Sequence, residues 1–330
     1  MINKSLIAFF LIVLTLFCIK TSNFEKKEIT QQHQNTVNIY FNIDNNYVDY
    51  FFVTAFSIFK NNKSKSNIHI FLVEDDITEK NKQRIINFVE KKHKQKIDII
   101  HFSNYEKILN PQKYHYINFI SKISFARILV GSLMPQNIDK VLYLDADILV
   151  REDISKLYNI NIDNFTVAMT PYIEERSPLG KYNGGVVLIN LKKWREQKAE
   201  EKVLEYTKKA LSEIKETDTN IPPIDQDAYN IIFKNKILSL DSKWNTASFM
   251  YFQNVLNHST NEIKWNDKAY INHYYGFIKP WTVFPFAKQY TLYYLYWFQS
   301  GEIKSMLKTF YKGFKRNLQF KEEMKKHLPS

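Results

Sequence analysis

The sequence predicts an α/β fold, a mostly parallel central sheet flanked by helices. Three observations predict it. Short apolar runs recur at Val37–Ile43, Ile68–Val73, Ile97–Phe102 and Val141–Leu144, each the length of one buried strand. Segments with helical apolar spacing lie between them, and strands alternating with helices imply crossover connections and a parallel sheet. The composition, 45% hydrophobic and 24% charged over 330 residues, supplies an ordinary core for one large domain.

The elements follow in order. Val37–Ile43 (VNIYFNI) ends in Asp44-Asn45-Asn46, a strand and then a turn. Tyr47 to Asn61 carries helical spacing. Thr78 reads as the N-cap of a helix through Lys94, with Ile85, Ile86 and Val89 on one face. Ser124–Leu133 reads as a helix that stops at Pro135. Val167–Thr170 and Val186–Ile189 read as strands, Glu196–Lys215 as a charged helix, and Ile237–Ser239 and Tyr270–Asn272 as short strands. Ligands of such sheets bind beyond the carboxyl ends of the strands, so Asp44 and Asp145 stand where a site is expected.

The ends differ from the body. Ser5–Ile19 is an apolar run between Lys4 and Lys20, a little short of the roughly 20 residues a spanning helix wants. Residues 1–20 are read as a membrane anchor, with a cleaved signal as the rival, and 21–35 as a linker. The expectation is a membrane-associated, single-pass protein, with the side of the membrane left open. Residues 36–285 form the main domain and 286–330 a basic, aromatic, amphipathic segment. Tyr290–Phe298 is an aromatic block, and Ile303, Met306, Leu307, Phe310, Phe314 and Leu318 recur at helical spacing among lysines. That pattern reads as membrane-surface binding or as a helix packed on the core. The net charge is +12, and the segment from Phe286 carries nine Lys or Arg against three Glu. Half the excess charge therefore sits in a tail, which argues against a nucleic-acid groove. Cys18 is the single cysteine, so no disulfide or cysteine metal site forms within one chain.

Four motifs carry chemistry. Asp145-Ala146-Asp147 follows the apolar run Val141–Leu144. On a continuing strand the two carboxylates share a face, half a site for a hard cation such as Mn²⁺ or Mg²⁺. Lys181-Tyr182-Asn183-Gly184-Gly185 holds two of the seven glycines and, alone, reads as a turn. Asp225-Gln226-Asp227 follows Pro222-Pro223, where Asp225 alone reads as a helix N-cap. In Ile271-Asn272-His273, the histidine can offer a neutral imidazole to a metal, while Gly276 and Lys279 suit a loop around a phosphate.

Together and in this order, the motifs resemble glycosyltransferase family 8, the retaining galactosyl- and glucosyltransferases related to lipooligosaccharide galactosyltransferase and glycogenin. The resemblance runs from about Val37 to Trp281 and includes Asn38–Tyr47, Ser124-Phe125-Ala126-Arg127, Asp145-Ala146-Asp147, Asn183–Trp194, Asp225-Gln226-Asp227 and His273–Trp281. Asn42-Ile43 departs from the usual small residues before Asp44, without removing a ligand. The resemblance implies a GT-A fold, a UDP-sugar donor, a glycan or glycolipid acceptor, and Mn²⁺ or Mg²⁺. It implies Asp145, Asp147 and His273 as metal ligands, with Asp145 and Ala146 also at the donor. Asp44, Asn46 and Tyr47 would hold uracil and ribose, and Gly276 and Lys279 the diphosphate. Arg127, Asn183, Gly184, Asp225 and Gln226 would hold the sugar, with Gln226, Asp225 and Arg127 nearest the chemistry. Retention needs a covalent intermediate or front-face attack, and both stay open. The alternative is a UDP-binding or scaffold protein that keeps the fold without the activity.

Overall fold

In the computed structural model, which describes residues 36–103, 122–171, 181–213, 224–247, 268–276, 279–282 and 288–312, β1 spans Thr36–Asp44 and β2 Asn67–Asp75. All of these residues fall in one compact unit, Asn35–Ser330. The proposed anchor and linker, and Phe314 and Leu318 of the tail, lie outside the described residues. Among the described residues no helix is long and apolar enough to cross a membrane.

With β3 (Lys96–His101), β4 (Lys140–Leu144), β6 (Val167–Pro171), β7 (Tyr182–Asn190) and β8 (Ile237–Ser239), the main sheet has seven strands in the order β3-β2-β1-β4-β7-β6-β8. The pairs β1–β2, β2–β3, β1–β4 and β6–β8 are parallel, while β7 runs antiparallel to both its neighbours. The mostly parallel sheet is therefore present, with one reversed strand. A second sheet, β5-β10-β9, joins β5 (Ile148–Val150), β10 (Ile271–His273) and β9 (Thr246–Ala247) beside the end of β4.

The two faces of β1 explain its apolar run. Val37, Ile39, Phe41 and Ile43 belong to one buried cluster and Tyr40 to the other, because successive side chains alternate across a strand. Helix α1 (Val48–Asn61) covers the first face with Phe51, Phe52, Ala55 and Ile58, all fully buried. Phe51, Phe52 and Ile58 each contribute about 1.5–3 kcal/mol of burial. The second face holds Ile123, Phe125, Ile128, Trp194 and Tyr229.

Four elements differ from expectation. The helix expected from Thr78 to Lys94 is α-helical only over α2 (Glu79–Ile86), where Thr78 caps Asn81 N at 3.3 Å. It then widens into a π turn over Asn87–Lys92, which seats both Phe88 and Val89 in the core, and ends at Lys94 with φ of 55°. Ser124–Leu133 is a 3₁₀ segment over Lys122–Leu129, with α-helix only over Val130–Leu133. The tighter spiral aligns residues three apart, and Arg127 Nε donates to Ser124 O at 3.1 Å. The helix expected at Glu196–Lys215 divides at Lys198, whose φ is 50°, and α3 covers Ala199–Glu213. The Gly184-Gly185 turn is instead the interior of β7. Between Met169 and Thr170 the β6–β7 register shifts, and the glycines occupy that bulge.

The aromatic block of the tail turns inward. On α5 (Lys288–Ser300), which follows α4 (Ile224–Ile232) in the chain, Tyr290, Tyr293, Tyr294 and Trp297 are buried. Trp281 stacks on Tyr50 of α1 at 3.6 Å between centroids, and Tyr294 OH donates to Pro280 O at 3.2 Å. Of its two readings the aromatic block follows the second, a helix packed on the core, and it clamps residues 279–282 onto α1.

Candidate active site

The cation-type cluster forms where β4 ends. Asp145 and Asp147 occupy a turn between β4 and β5, so they do not share a strand face as the alternation argument expected. The turn itself converges them. Asp145 N donates to Gly185 O at 2.9 Å, extending the ladder with β7 by one bond. Thr54 Oγ1 of α1 lies 2.9 Å from Ala146 O and 2.8 Å from Ile148 O, pinning the turn from below. Tyr274 N donates to Asp147 O at 2.9 Å, which brings β10 alongside.

As a result one ligand atom from each of Asp145, Asp147 and His273 lies within 4.8 Å of the others. His273 Nε2 is 3.1 Å from Asp147 Oδ1 and 3.5 Å from Asp145 Oδ2. Lys279 Nζ pairs with Asp147 Oδ2, and Tyr143 OH donates to Asp145 Oδ1. Burial works against ionising Asp147, yet Lys279 and His273 hold its carboxyl well below the usual range. Burial opposes ionisation of Asp145 too, and Arg127 and His273 outweigh it. Burial lowers and the two aspartates raise His273, with a net upward shift.

A cleft of about 370 Å³ opens over this cluster. Asp44, Tyr47, Arg127, Asp145, Ala146, Asp147, Gly276 and Lys279 all line it. Asp44 Oδ1 accepts from Asn46 N at 2.9 Å, so its carboxyl also caps the turn after β1. Asn46 itself is exposed and does not line the cleft. Burial, then Asp147 and Asp145, push the Tyr47 phenol upward, so it stays protonated and can donate. Gly276 has φ of +87°, a left-handed conformation that glycine adopts without cost.

The remaining predicted residues meet at Arg127. Its Nε is 2.9 Å from Asp225 Oδ2, its Nη1 donates to Gly184 O at 3.0 Å, and its Nη2 is 3.4 Å from Asp145 Oδ1. Gln226 Oε1 accepts from Gly184 N at 2.8 Å. Asp225 does not cap α4 but sits in its first turn, aimed at the guanidinium. Burial disfavours the Arg127 charge, but Asp225 and Asp145 beside it keep the guanidinium firmly cationic. Asp227, one turn face away, is buried, and burial followed by Asp225 pushes its carboxyl up to about 6. Asn183 turns its amide to Gly185 and Asn245.

Sequence reasoning missed Tyr143, Gly185 and Asn245. Tyr143 was visible as the strand residue two before Asp145, and its OH reaches that carboxylate. A Cβ on Gly185 would fall 2.1 Å from His273 Cε1 and 2.8 Å from Asp145 Oδ2, which makes the missing side chain a condition of the site. Nothing in Lys243-Trp244-Asn245 signals a role.

A flanked sheet that delivers two carboxylates and an imidazole to the end of its central strand has the GT-A architecture. The structure of galactosyltransferase LgtC with donor and acceptor sugar analogues matches at a TM-score of 0.63 and 23% identity, covering 80% of this chain and 96% of that one. That likeness shows the fold. In sequence, a Haemophilus influenzae glycosyltransferase is 29% identical over 227 residues, 64% of this chain and 63% of that protein. The lipopolysaccharide 1,2-glucosyltransferase of Escherichia coli is 26% identical over 272 residues, 78% of this chain and 77% of that protein. The chain spans less than two thirds of the Haemophilus protein, and its match to Streptococcus pneumoniae GlyD, 29% identical over 49% of this chain, spans 19% of that one. The family described as Glycosyl transferase family 8 matches residues 38–283. The chain belongs to glycosyltransferase family 8, a family of glycosyl-transfer enzymes.

Proposed function

We propose that the protein is a retaining hexosyltransferase that moves galactose or glucose from a UDP-sugar to a glycan or glycolipid acceptor, assisted by Mn²⁺. The observation that carries this reading is the convergence of Asp145, Asp147 and His273 beside Lys279 and the Arg127–Asp225 pair at one cleft.

The residues fit a divalent cation. Two carboxylates and one imidazole, with ligand atoms within 4.8 Å of one another, need only small movements to reach metal–ligand distances of about 2.1 Å. The imidazole favours Mn²⁺ over Mg²⁺, which prefers all-oxygen sites. When bound, the cation neutralises the charge that grows on a diphosphate leaving group. The ammonium of Lys279 lies beside Asp147 and lines the cleft, so it adds a second positive charge against that leaving group. Arg127, held by Asp225 and Gly184 O, orients the sugar. Asp225 supplies the negative field that a cation-like sugar centre needs. Asp44 and Tyr47, at the end of the cleft formed by β1, fit the nucleoside.

Association with a membrane belongs to this reading. The helix over 303–312 exposes Ile303 (38%), Leu307 (42%) and Tyr311 (43%) one turn apart, and Lys304, Lys308 and Lys312 form the adjacent exposed stripe. An apolar stripe flanked by cations matches an anionic lipid surface. A triple Lys304→Glu, Lys308→Glu, Lys312→Glu chain is expected to bind vesicles containing anionic lipid at least about tenfold more weakly than wild type, with little change on zwitterionic vesicles. Equal binding of both chains in a flotation assay would remove the helix from the reading.

The activity is tested by offering the full-length chain a panel of UDP-sugars, with Mn²⁺ and with EDTA, and measuring free UDP. Release from one donor, abolished by EDTA, is expected and names the sugar. UDP binding with Mn²⁺ but no release, with glycan and glycolipid acceptors supplied, would make the protein a nucleotide-binding relative without the activity. No UDP binding would sink the reading.

A further inference from the structure

We infer that Asn245 is a positioning residue for His273: through Asn183 and Asn245, the backbone N–H of Gly185 dictates which imidazole nitrogen faces Asp145 and Asp147. The inference deepens the metal-assisted reading above and rests on it for its functional consequence.

Three hydrogen bonds link Gly185 to the imidazole. A backbone N–H can only donate, so the Asn183 atom 2.9 Å from Gly185 N is the carbonyl oxygen Oδ1. That same oxygen lies 2.7 Å from Asn245, which must therefore present its amide nitrogen, Nδ2. The choice turns the carbonyl of Asn245 to the other side, where Oδ1 sits 2.8 Å from His273 Nδ1. An oxygen needs a donor, so Nδ1 carries the hydrogen. Nε2, the nitrogen 3.1 Å from Asp147 Oδ1, is then the one that gives up its hydrogen to offer a lone pair to a cation. Amide flips and tautomers are ordinarily ambiguous. Here the chain of bonds begins at a group that cannot be flipped.

The relay is sealed and braced. Asn183, Asn245 and His273 are buried, at 7%, 8% and 1% exposure. Reversing the Asn245 amide would oppose two oxygens on one side and leave the ring without its acceptor on the other. In a buried site each mismatch costs on the order of 1–3 kcal/mol. Asn245 ends the 3₁₀ turn Ser242–Asn245 and leads into β9, whose Ala247 pairs with His273 of β10. The sheet register thus places the amide beside the ring. Gly185, which supplies the first donor, also forms the wall against which the ring packs. One residue therefore fixes both the tilt of the imidazole and, at two removes, its tautomer. Outer hydrogen bonds of this type typically change metal affinity by about 10–100-fold.

The test uses the full-length chain in detergent micelles, metal-free and ¹⁵N-labelled at histidine. The His273 resonances are assigned by their loss in His273→Gln. In wild type Nδ1 is expected to carry a hydrogen, whether or not Nε2 is also protonated towards Asp147. Asn245→Asp keeps an acceptor for Nδ1 while setting an oxygen against Asn183 Oδ1, so it is expected to keep the Nδ1 hydrogen and Mn²⁺ binding, read by electron paramagnetic resonance, but to melt at a lower temperature. Asn245→Leu matches the volume but removes the acceptor. It is expected to populate the Nε2–H tautomer and to weaken Mn²⁺ binding about 10–100-fold. A lowered melting temperature in Asn245→Leu with wild-type tautomer and wild-type Mn²⁺ affinity would reduce Asn245 to a structural residue and overturn the inference. So would a wild-type ring whose Nδ1 carries no hydrogen. Failure of wild type to bind Mn²⁺ would strike the metal reading instead, and the tautomer spectrum would still decide the relay.

Discussion

Asp147→Asn is expected to lower metal-dependent UDP release at least about 10³-fold while leaving the fold intact. Both oxygens of Asp147 are engaged, Oδ1 with His273 Nε2 and Oδ2 with Lys279. The amide keeps the shape but cannot present a ligand oxygen on both sides, and it removes the charge that holds Lys279 at the cleft. Circular dichroism and a melting curve check that the fold survives, and Mn²⁺ titration should show the lost affinity directly. Activity within tenfold of wild type would mean that Asp147 neither holds the cation nor anchors Lys279.

Gly185→Ala is expected to be more damaging than any other single-methyl addition among the described glycines of β7. At Gly184 a Cβ meets Gln226 at 3.3 Å, a contact that a small shift relieves. At Gly185 it would overlap the imidazole at 2.1 Å, and His273 cannot retreat because β10 is paired to β5 on one side and β9 on the other. Overpacking of this kind costs about 2–3 kcal/mol. In a protein of this size that is a drop of roughly 4–6 °C in melting temperature. The displaced ring should also abolish Mn²⁺ binding. A variant that melts like wild type and binds Mn²⁺ normally would show that the ring has freedom the packing denies.

Much of this was legible in the sequence. β1, β2 and β4 are buried on both faces, so each reads as a mainly apolar run, interrupted only at Asn38, Asn42 and His69, and Asp44 and Asp145 stand at the ends of β1 and β4. Hydrophobic spacing could not separate an α-helix from the π turn at Asn87–Lys92 or the 3₁₀ segment at Lys122–Leu129. All three put apolar residues three to five apart, and only the packing of Phe88 and Val89, or the back-bond of Arg127, decides among them. The direction of β7 left no trace either, because a strand buried on both faces looks the same reversed. The glycine pair was legible as a turn but not as the interior of a strand, since a bulge and a turn call for the same residue. Asn245 was silent: its role comes from the pairing of β9 with β10, which a local pattern does not encode.

The distance along the chain between the cluster's members has a consequence for synthesis. Asp147 finds His273 across 126 positions and Lys279 across 132. Residues 279–282 are in turn clamped by α5, further on still. A ribosome adds roughly 5–20 residues per second, so for at least several seconds β1, β2 and β4 can be assembled while Asp147 lacks the counter-charges of His273 and Lys279. Long-range closures of this kind also form late for entropic reasons. The core therefore matures first and the chemistry last, and a nascent chain stalled before α5 would carry most of the sheet but no working centre.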